Sequence, residues 1–454
     1  MRNEGESEED LADTAQAPRD GPRTAAMAQL EVNEVMESLP ASRRRGPLYA
    51  FSFRNFRLFF YGQLISVAGT WMQTVAQNWQ VWDLTHSARW LGIVSGASAV
   101  PYVLFSLWGG HIADRYSRRK TLVWTQTAAM LLAFLLALLA TNRPIVIQPW
   151  HIAVLAALSG LVNAFNMPAQ QAFVTDMVDD PHAIGNAIAL NSVRFNLARF
   201  LGPVLAGIVL SHWGAAMCYL LNALSFIAVI FSLLMMRLPD FVARTQKASV
   251  WEGFKFIRSS PGVFRTVALV GAGSFFTWSV STLFPMIATT YGEAARGYSY
   301  LMATNGVGAA LGGLFVAVFG ERLVRRTLVY GGAIVFCLSL LLLSVMHTFL
   351  LVNACVVLSG FSMIVFAISA NTKVQSDLPD MLRGRVMAVY TLVMGGLMPL
   401  GGLEIGFLAH QRNSAGVAIG INAGICLGIS IALYVWSVLD ASPARLAEKQ
   451  AQNG

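Results

Sequence analysis

The chain has 454 residues, of which 55% are hydrophobic and only 12% charged, with a formal net charge of +8. A soluble domain that coats itself in charged side chains does not have that balance, so the apolar mass has to face lipid. The positive charge does not mark a nucleic-acid binder, because Lys and Arg are scattered through short segments between apolar runs instead of clustering on one domain.

Residues 1–50 open on acids (Glu4, Glu6, Glu8, Glu9, Asp10, Asp13) and lack the basic start and apolar middle of a secretory signal. They are expected to form a disordered tail. Arg43, Arg44, Arg45, Arg54 and Arg57 then lead into an apolar run at 58–82. Further runs follow at 90–110, 121–141, 150–172, 186–210, 214–236, 265–290, 298–319, 327–346, 350–371, 386–409 and 416–438. At about 1.5 Å per residue each can cross a hydrocarbon core about 30 Å thick. The expected fold is an all-α membrane protein of twelve transmembrane helices. Two six-helix bundles, 51–238 and 262–440, are joined by a linker at 239–261 and followed by a tail at 441–454.

Charge sets the expected orientation. One set of loops holds the basic lead-in, Arg115 to Lys120, Arg237 to Arg265, Arg322 to Arg326 and Lys373 to Arg385, whereas the alternate loops hold only Arg89, Arg143, Arg296 and Arg412. The positive-inside rule therefore places both termini and the basic hairpins in the cytoplasm.

The hairpin after the second run carries Gly110, Asp114, Arg115, Arg118 and Arg119. A second copy lies about 207 residues on, where Glu321, Arg322, Arg325 and Arg326 take the places of Asp114, Arg115, Arg118 and Arg119. Asn166 and Asn371, and Asn222 and Asn422, pair at similar offsets. Such internal similarity predicts two parallel repeats with a site between them. Within the linker, Ser249-Val-Trp-Glu252 reads as a capping box that starts a short helix on the membrane surface, the alternative being an unstructured linker. Cys218, Cys337, Cys355 and Cys426 all fall inside apolar runs without ligand spacing and read as packing residues, with no metal site.

Polar residues inside the runs are the functional candidates. Gln63, Ser66, Thr70, Gln73, Gln77 and Gln80 recur every three or four positions and so share one face of the first helix. Asn163, Asn166 and Gln170 form a stripe on the fourth, and Ser274, Thr277 and Ser281 a weaker one on the seventh. Such stripes either line a watery cavity or bond helices together; six polar positions in one line favour the cavity. The fifth run carries Arg194 and Arg199, where a lone charge in hydrocarbon costs at least about 2.5 kcal/mol and needs a partner or a cavity. Arg199 is a candidate for substrate contact or for helix packing. Glu404 is the acid lying well inside a run, and reads as a proton carrier or as a hydrogen-bonded structural acid. No metalloprotease, nucleotide-binding or esterase motif occurs in a credible setting, so an enzyme is not expected.

The segment from Gly110 through Asp114, Arg115, Arg118 and Arg119 to Lys120 resembles the G-x-x-x-D-R-x-G-R-R-K loop of the major facilitator superfamily, with Ser117 in place of the glycine. Gly202, Pro203 and Gly207 are similar to the end of the G-P-x-x-G-G element associated with exporters. Arg54-Asn-Phe-Arg-Leu-Phe, Glu252-Gly-Phe-Lys-Phe-Ile-Arg and Arg199-Phe-Leu-Gly-Pro resemble the efflux branch that contains enterobactin and macrolide exporters.

The resemblance implies a cofactor-free, monomeric secondary transporter in the bacterial inner membrane. Its cavity would be lined by the first, fourth, seventh and tenth helices, with Asp114 and Glu321 as latches near helix starts in the opposite half, at Gly384 to Met387 and Gly185 to Asn186. The expected activity is proton-driven export of an amphiphilic, siderophore-like or drug-like molecule, neutral or anionic. The alternatives are a solute importer and a non-transporting scaffold or sensor.

Overall fold

The structure, a computed structural model, describes residues 48–142, 145–178, 180–237, 250–320 and 322–440. The tails, most of the linker with Ser249, and Glu321 lie outside the described residues. Asp114 is placed by its backbone alone, its side chain lying outside the description.

Helices account for the chain almost without interruption, as they must where lipid offers backbone groups no hydrogen-bond partners. The first four are α1 (Arg54–Thr85), α2 (Ala88–Arg115), α3 (Arg118–Ala140) and α4 (Pro149–Phe173). Next comes α5 (Pro181–Met235), a run of 55 residues broken at Gly214, where φ is 77° and ψ is −179°. The linker contributes α6 (Val250–Ser259). After it α7 (Pro261–Ala272) gives way to a π turn at Gly273–Thr277 and a 3-10 turn at Trp278–Leu283 before α8 (Phe284–Thr290) resumes. The series closes with α9 (Ala295–Phe319), α10 (Arg325–Ser344), α11 (Phe349–Ser376), α12 (Asp380–Arg412) and α13 (Ala415–Asp440).

Local chemistry explains the boundaries. Proline opens α4, α5 and α7, where its missing N–H and fixed φ cost nothing. At α4 the Gln148 N–H donates to Nδ1 of His151 at 2.9 Å, which accounts for His151 as a cap. α12 stops at Asn413, whose φ of 50° is the left-handed conformation that asparagine tolerates.

Among the described residues, ten helices are long and apolar enough to cross a membrane, against the twelve expected. Two causes account for the difference. α5 runs through its break and counts once, and α1 is not among the ten because its glutamines lower its hydropathy.

α1 packs along α5, α2 along α4, α9 along α11, and α10 along α11 and α13. The same crossing recurs two hundred residues apart: Gly160 meets the backbone of Ser98, and Gly360 meets that of Asn305, so closely that a Cβ would collide with a carbonyl oxygen. Two further seams, α2 on α12 and α5 on α9, join the first group of helices to the second. In the first seam Ser95 Oγ donates to the Pro399 carbonyl at 3.0 Å, Gly92 meets the Leu403 backbone, and Gly402 meets Ser95. In the other, Gly207 meets Ser299.

The short helix expected in the linker is present as α6. Gly253 lets it close on the Arg385 backbone of α12, and Glu252 pairs with the Arg385 side chain. All four cysteines are free and buried.

The Gly214 break generates a test. Its backbone lies in a region open essentially to glycine alone, so Gly214→Ala should cost about 1–3 kcal/mol. Gly424, which has open space where a Cβ would stand and sits in a regular helical backbone, is the control. Thermal unfolding in detergent should show a lower midpoint for Gly214→Ala and none of that loss for Gly424→Ala.

Candidate functional site

The stripe on α1 divides between different neighbours. Gln73 Oε1 accepts from Asn222 Nδ2 at 2.6 Å, and Gln80 Oε1 accepts from the Tyr219 hydroxyl at 2.7 Å, both on the second limb of α5. These are bonds between packed helices. Thr70 is exposed and donates to the Ser66 carbonyl one turn back, while Gln77 is half-buried. Gln63 and Ser66 are buried.

On α4, Asn166 Oδ1 accepts from Thr125 Oγ1 at 3.1 Å and from Gln126 Nε2 at 3.2 Å, both on α3. Asn163 is exposed and Gln170 half-buried. The third stripe falls on the irregular stretch between α7 and α8. There Thr277 donates to the Gly273 carbonyl at 2.7 Å, Ser281 donates to the Trp278 carbonyl at 3.3 Å, and the buried Ser274 hydroxyl has no partner among the described residues. A π turn inside a helical segment is frequently found at functional sites.

The two arginines of α5 differ in setting. Arg194 is only 2% exposed, its Nε donating to Asn191 Oδ1 at 3.1 Å and its Nη1 to Gln63 Oε1 at 3.4 Å. Arg199 lies over the Trp71 ring at 5.6 Å, with Nη2 at 3.7 Å from Met363 Sδ on α11, across the seam. Gly202, three residues on, fits against Ala68, Trp71 and Met72 of α1 and permits that approach. Pro203 lies inside α5 beside it. Glu404 is half-buried on α12 and accepts from Asn422 Nδ2 at 2.7 Å.

The basic loops bind mainly within their own helix groups. Arg118 is buried and donates to Asp176 at 2.6 Å and to the Ala172 carbonyl at 3.1 Å. Arg119 donates to the Leu234 carbonyl at 2.6 Å at the end of α5, and Arg326 lies over Tyr434 at 5.2 Å near the end of α13. Arg115, Arg322 and Arg325 are exposed. Gly110, Gly185 and Gly384 all have open space where a Cβ would stand.

The sequence matches a known protein family. The profile of the transmembrane secretion effectors fits residues 45–452. The chain belongs to this family. It is a major facilitator superfamily transporter of the efflux branch, and its relatives are transporters rather than enzymes. The transporter is 26% identical over 366 residues to the staphyloferrin A transporter of Staphylococcus aureus, covering 78% of this chain and 89% of that one. It is 28% identical over 426 residues to the multidrug efflux pump Tap of Mycolicibacterium fortuitum, covering 89% and 97%. Macrolide efflux proteins and enterobactin exporters are further relatives. In fold it is similar to a crystal structure of a POT family transporter in complex with a thioalcohol-conjugated peptide, with a TM-score of 0.69 at 12% identity, over 86% of this chain and 97% of that one.

Sequence reasoning passed over Asn222, Tyr219 and Asn422 as partners of the polar stripe and of Glu404. The signal was present in their position, since each is a large polar residue inside an apolar run. It also set Arg199 above Arg194, although only Arg194 stands one turn from Asn191.

The transporter's Gln73–Asn222 bond is open to a direct test. Interhelical hydrogen bonds in membrane proteins average about 0.6 kcal/mol and reach about 1.7. A double-mutant cycle of Gln73→Leu and Asn222→Leu, read by unfolding in micelles, should give a coupling in that range. Strict additivity would show that the two side chains do not hold the helices together.

Proposed function

We propose that the transporter exports an amphiphilic small molecule across the bacterial inner membrane in exchange for protons, by rocking two six-helix halves about the α2–α12 and α5–α9 seams. The observation that carries this reading is the asymmetry of those seams. Close contacts at Gly92, Gly207, Gly402 and Gly406 lie toward the end away from the basic loops, whereas Gly110, Gly185 and Gly384, at the basic end, meet open space. Seams that approach closely at one end and not at the other fit one half of an alternating-access cycle.

Twelve spans in two repeats are the simplest account of the helices. The Gly214 break divides α5 into two spans, α1 is long enough to be another, and α7 with α8 forms a single one. The paired crossings at Gly160 and Gly360 support the repeat. Concentration of Arg and Lys at one end supports a cytoplasmic placement of that end and of both termini.

In the alternate state Asp114 and Glu321 close the basic end as latches, each on a helix start of the opposite half, where an anion gains about 0.3–1 kcal/mol. The open space at Gly384 and Gly185 is where those latches would dock. Similarity to a multidrug efflux pump and to enterobactin exporters favours export over import.

Glu404 supplies the proton site. Asn422 is fully buried, with its Nδ2 toward the Glu404 carboxylate and its Oδ1 without a partner among the described residues. A side-chain amide serves both protonation states, donating to the carboxylate and, after a half-turn, accepting from the acid. An arginine in its place would hold the group charged.

Inside-out vesicles with an acidic lumen test the reading. The wild type should accumulate an aryl carboxylate and lose the gradient-driven part on adding a protonophore. Glu404→Gln should lose that part while keeping cargo exchange. Accumulation under the reversed gradient alone would make the protein an importer, and no flux in any direction would leave a scaffold.

A further inference from the structure

Arg194 stands thirteen residues beyond Pro181 on α5, about 20 Å along the helix by its rise, and is only 2% exposed. An arginine retained for packing in a membrane binds backbone carbonyls or a carboxylate. Among the described residues Arg194 does neither. Both its hydrogen bonds run to side-chain amides, and Phe59 covers the guanidinium at 5.5 Å. Among the described residues no carboxylate lies within ion-pair reach of it. α5 contains no Asp or Glu at all, and on α1 the nearest acid is Asp83 at its far end.

The amide groups are oriented by the charge beside them. Gln63 and Asn191 both turn their oxygens to the guanidinium, since the opposite orientation would set N–H against N–H. Their nitrogens therefore do not bond the guanidinium. Gln63 Nε2 is buried with no partner among the described residues, although a buried amide nitrogen is normally hydrogen-bonded. What remains open in the cluster is the Gln63 amide N–H and a positive charge with no carboxylate partner among the described residues.

We propose that Arg194, Gln63 and Asn191 form the subsite that holds an anionic group of the cargo, a carboxylate or a similar oxyanion. This deepens the export reading and rests on it. An acceptor-only anion satisfies the Gln63 N–H and neutralises the guanidinium together. A hydroxyl or ether does only the first, and a cation is repelled. Arg199, five residues further along α5 and against Met363 across the seam, extends the positive field from this subsite to the contact between the two helix groups.

Purified transporter in detergent, with benzoate, benzamide and chloride as probes at matched ionic strength, provides the test by shift of the thermal midpoint. Benzoate should stabilise the wild type and the surface control Lys255→Gln, with no comparable shift from benzamide or chloride. Arg194→Gln should abolish the response. Gln63→Glu, which supplies an internal carboxylate, should raise the unliganded midpoint and abolish the response as well, so the test stands even if the arginine variant does not fold. A benzoate shift that persists in Gln63→Glu, an equal shift with benzamide, or none in the wild type would overturn the subsite. A matching chloride shift would make it a halide site and overturn its assignment to cargo. Failure of vesicle flux with the benzoate pattern intact would instead sink the export reading and leave the subsite standing.

Discussion

Helices immersed in lipid gain nothing from burying apolar faces, so their association depends on how closely their backbones approach and on the few polar bonds between them. The glycine crossings meet that constraint here. Gly160 on Ser98 and Gly360 on Asn305 lock helices within each group, while Gly92, Gly402 and Gly406 do the same between the groups. The first kind makes each group rigid. The second kind is concentrated toward one end of the α2–α12 seam.

Polar residues are deployed according to the same constraint. Gln73, Gln80 and Asn166 all have partners on adjacent helices, which ties those helices together. Arg118 and Arg119 bind the ends of helices in their own group, which ties the basic loop to its bundle. Arg194 and Glu404 are ionisable groups inside helices whose hydrogen bonds, among the described residues, run to side-chain amides.

Much of the fold was legible because the bilayer sets helix length. The run expected at 90–110 is the core of Ala88–Arg115, and the division expected between 210 and 214 falls at Gly214. The turn into π and 3-10 geometry between Gly273 and Leu283 was not legible, since an apolar sequence reads alike whether its hydrogen bonds step by three, four or five residues. The site was legible only in part. Periodicity shows that Gln63, Gln73 and Gln80 share a face, but what that face meets depends on residues more than a hundred positions away, at Arg194, Asn222 and Tyr219. Glu404 stood out as an acid in an apolar run and Asn422 as a polar residue in another, but their pairing did not, because it comes from the crossing of two helices.

The central claim is that two rigid groups rock about the seams, and paired distance measurements test it most directly. Trp124 and Val324 are exposed near the basic end, one in each group, and Trp150 and Leu350 are their counterparts at the other end. Spin labels at cysteines introduced at each pair, with the four native cysteines buried, report the two ends separately by double electron–electron resonance. Shifting the pH or adding cargo should shorten the Trp124–Val324 distance while lengthening Trp150–Leu350, and Asp114→Asn should bias the population toward the long basic-end distance. Distances that change in the same sense at both ends, or that stay fixed under every condition, would contradict the account.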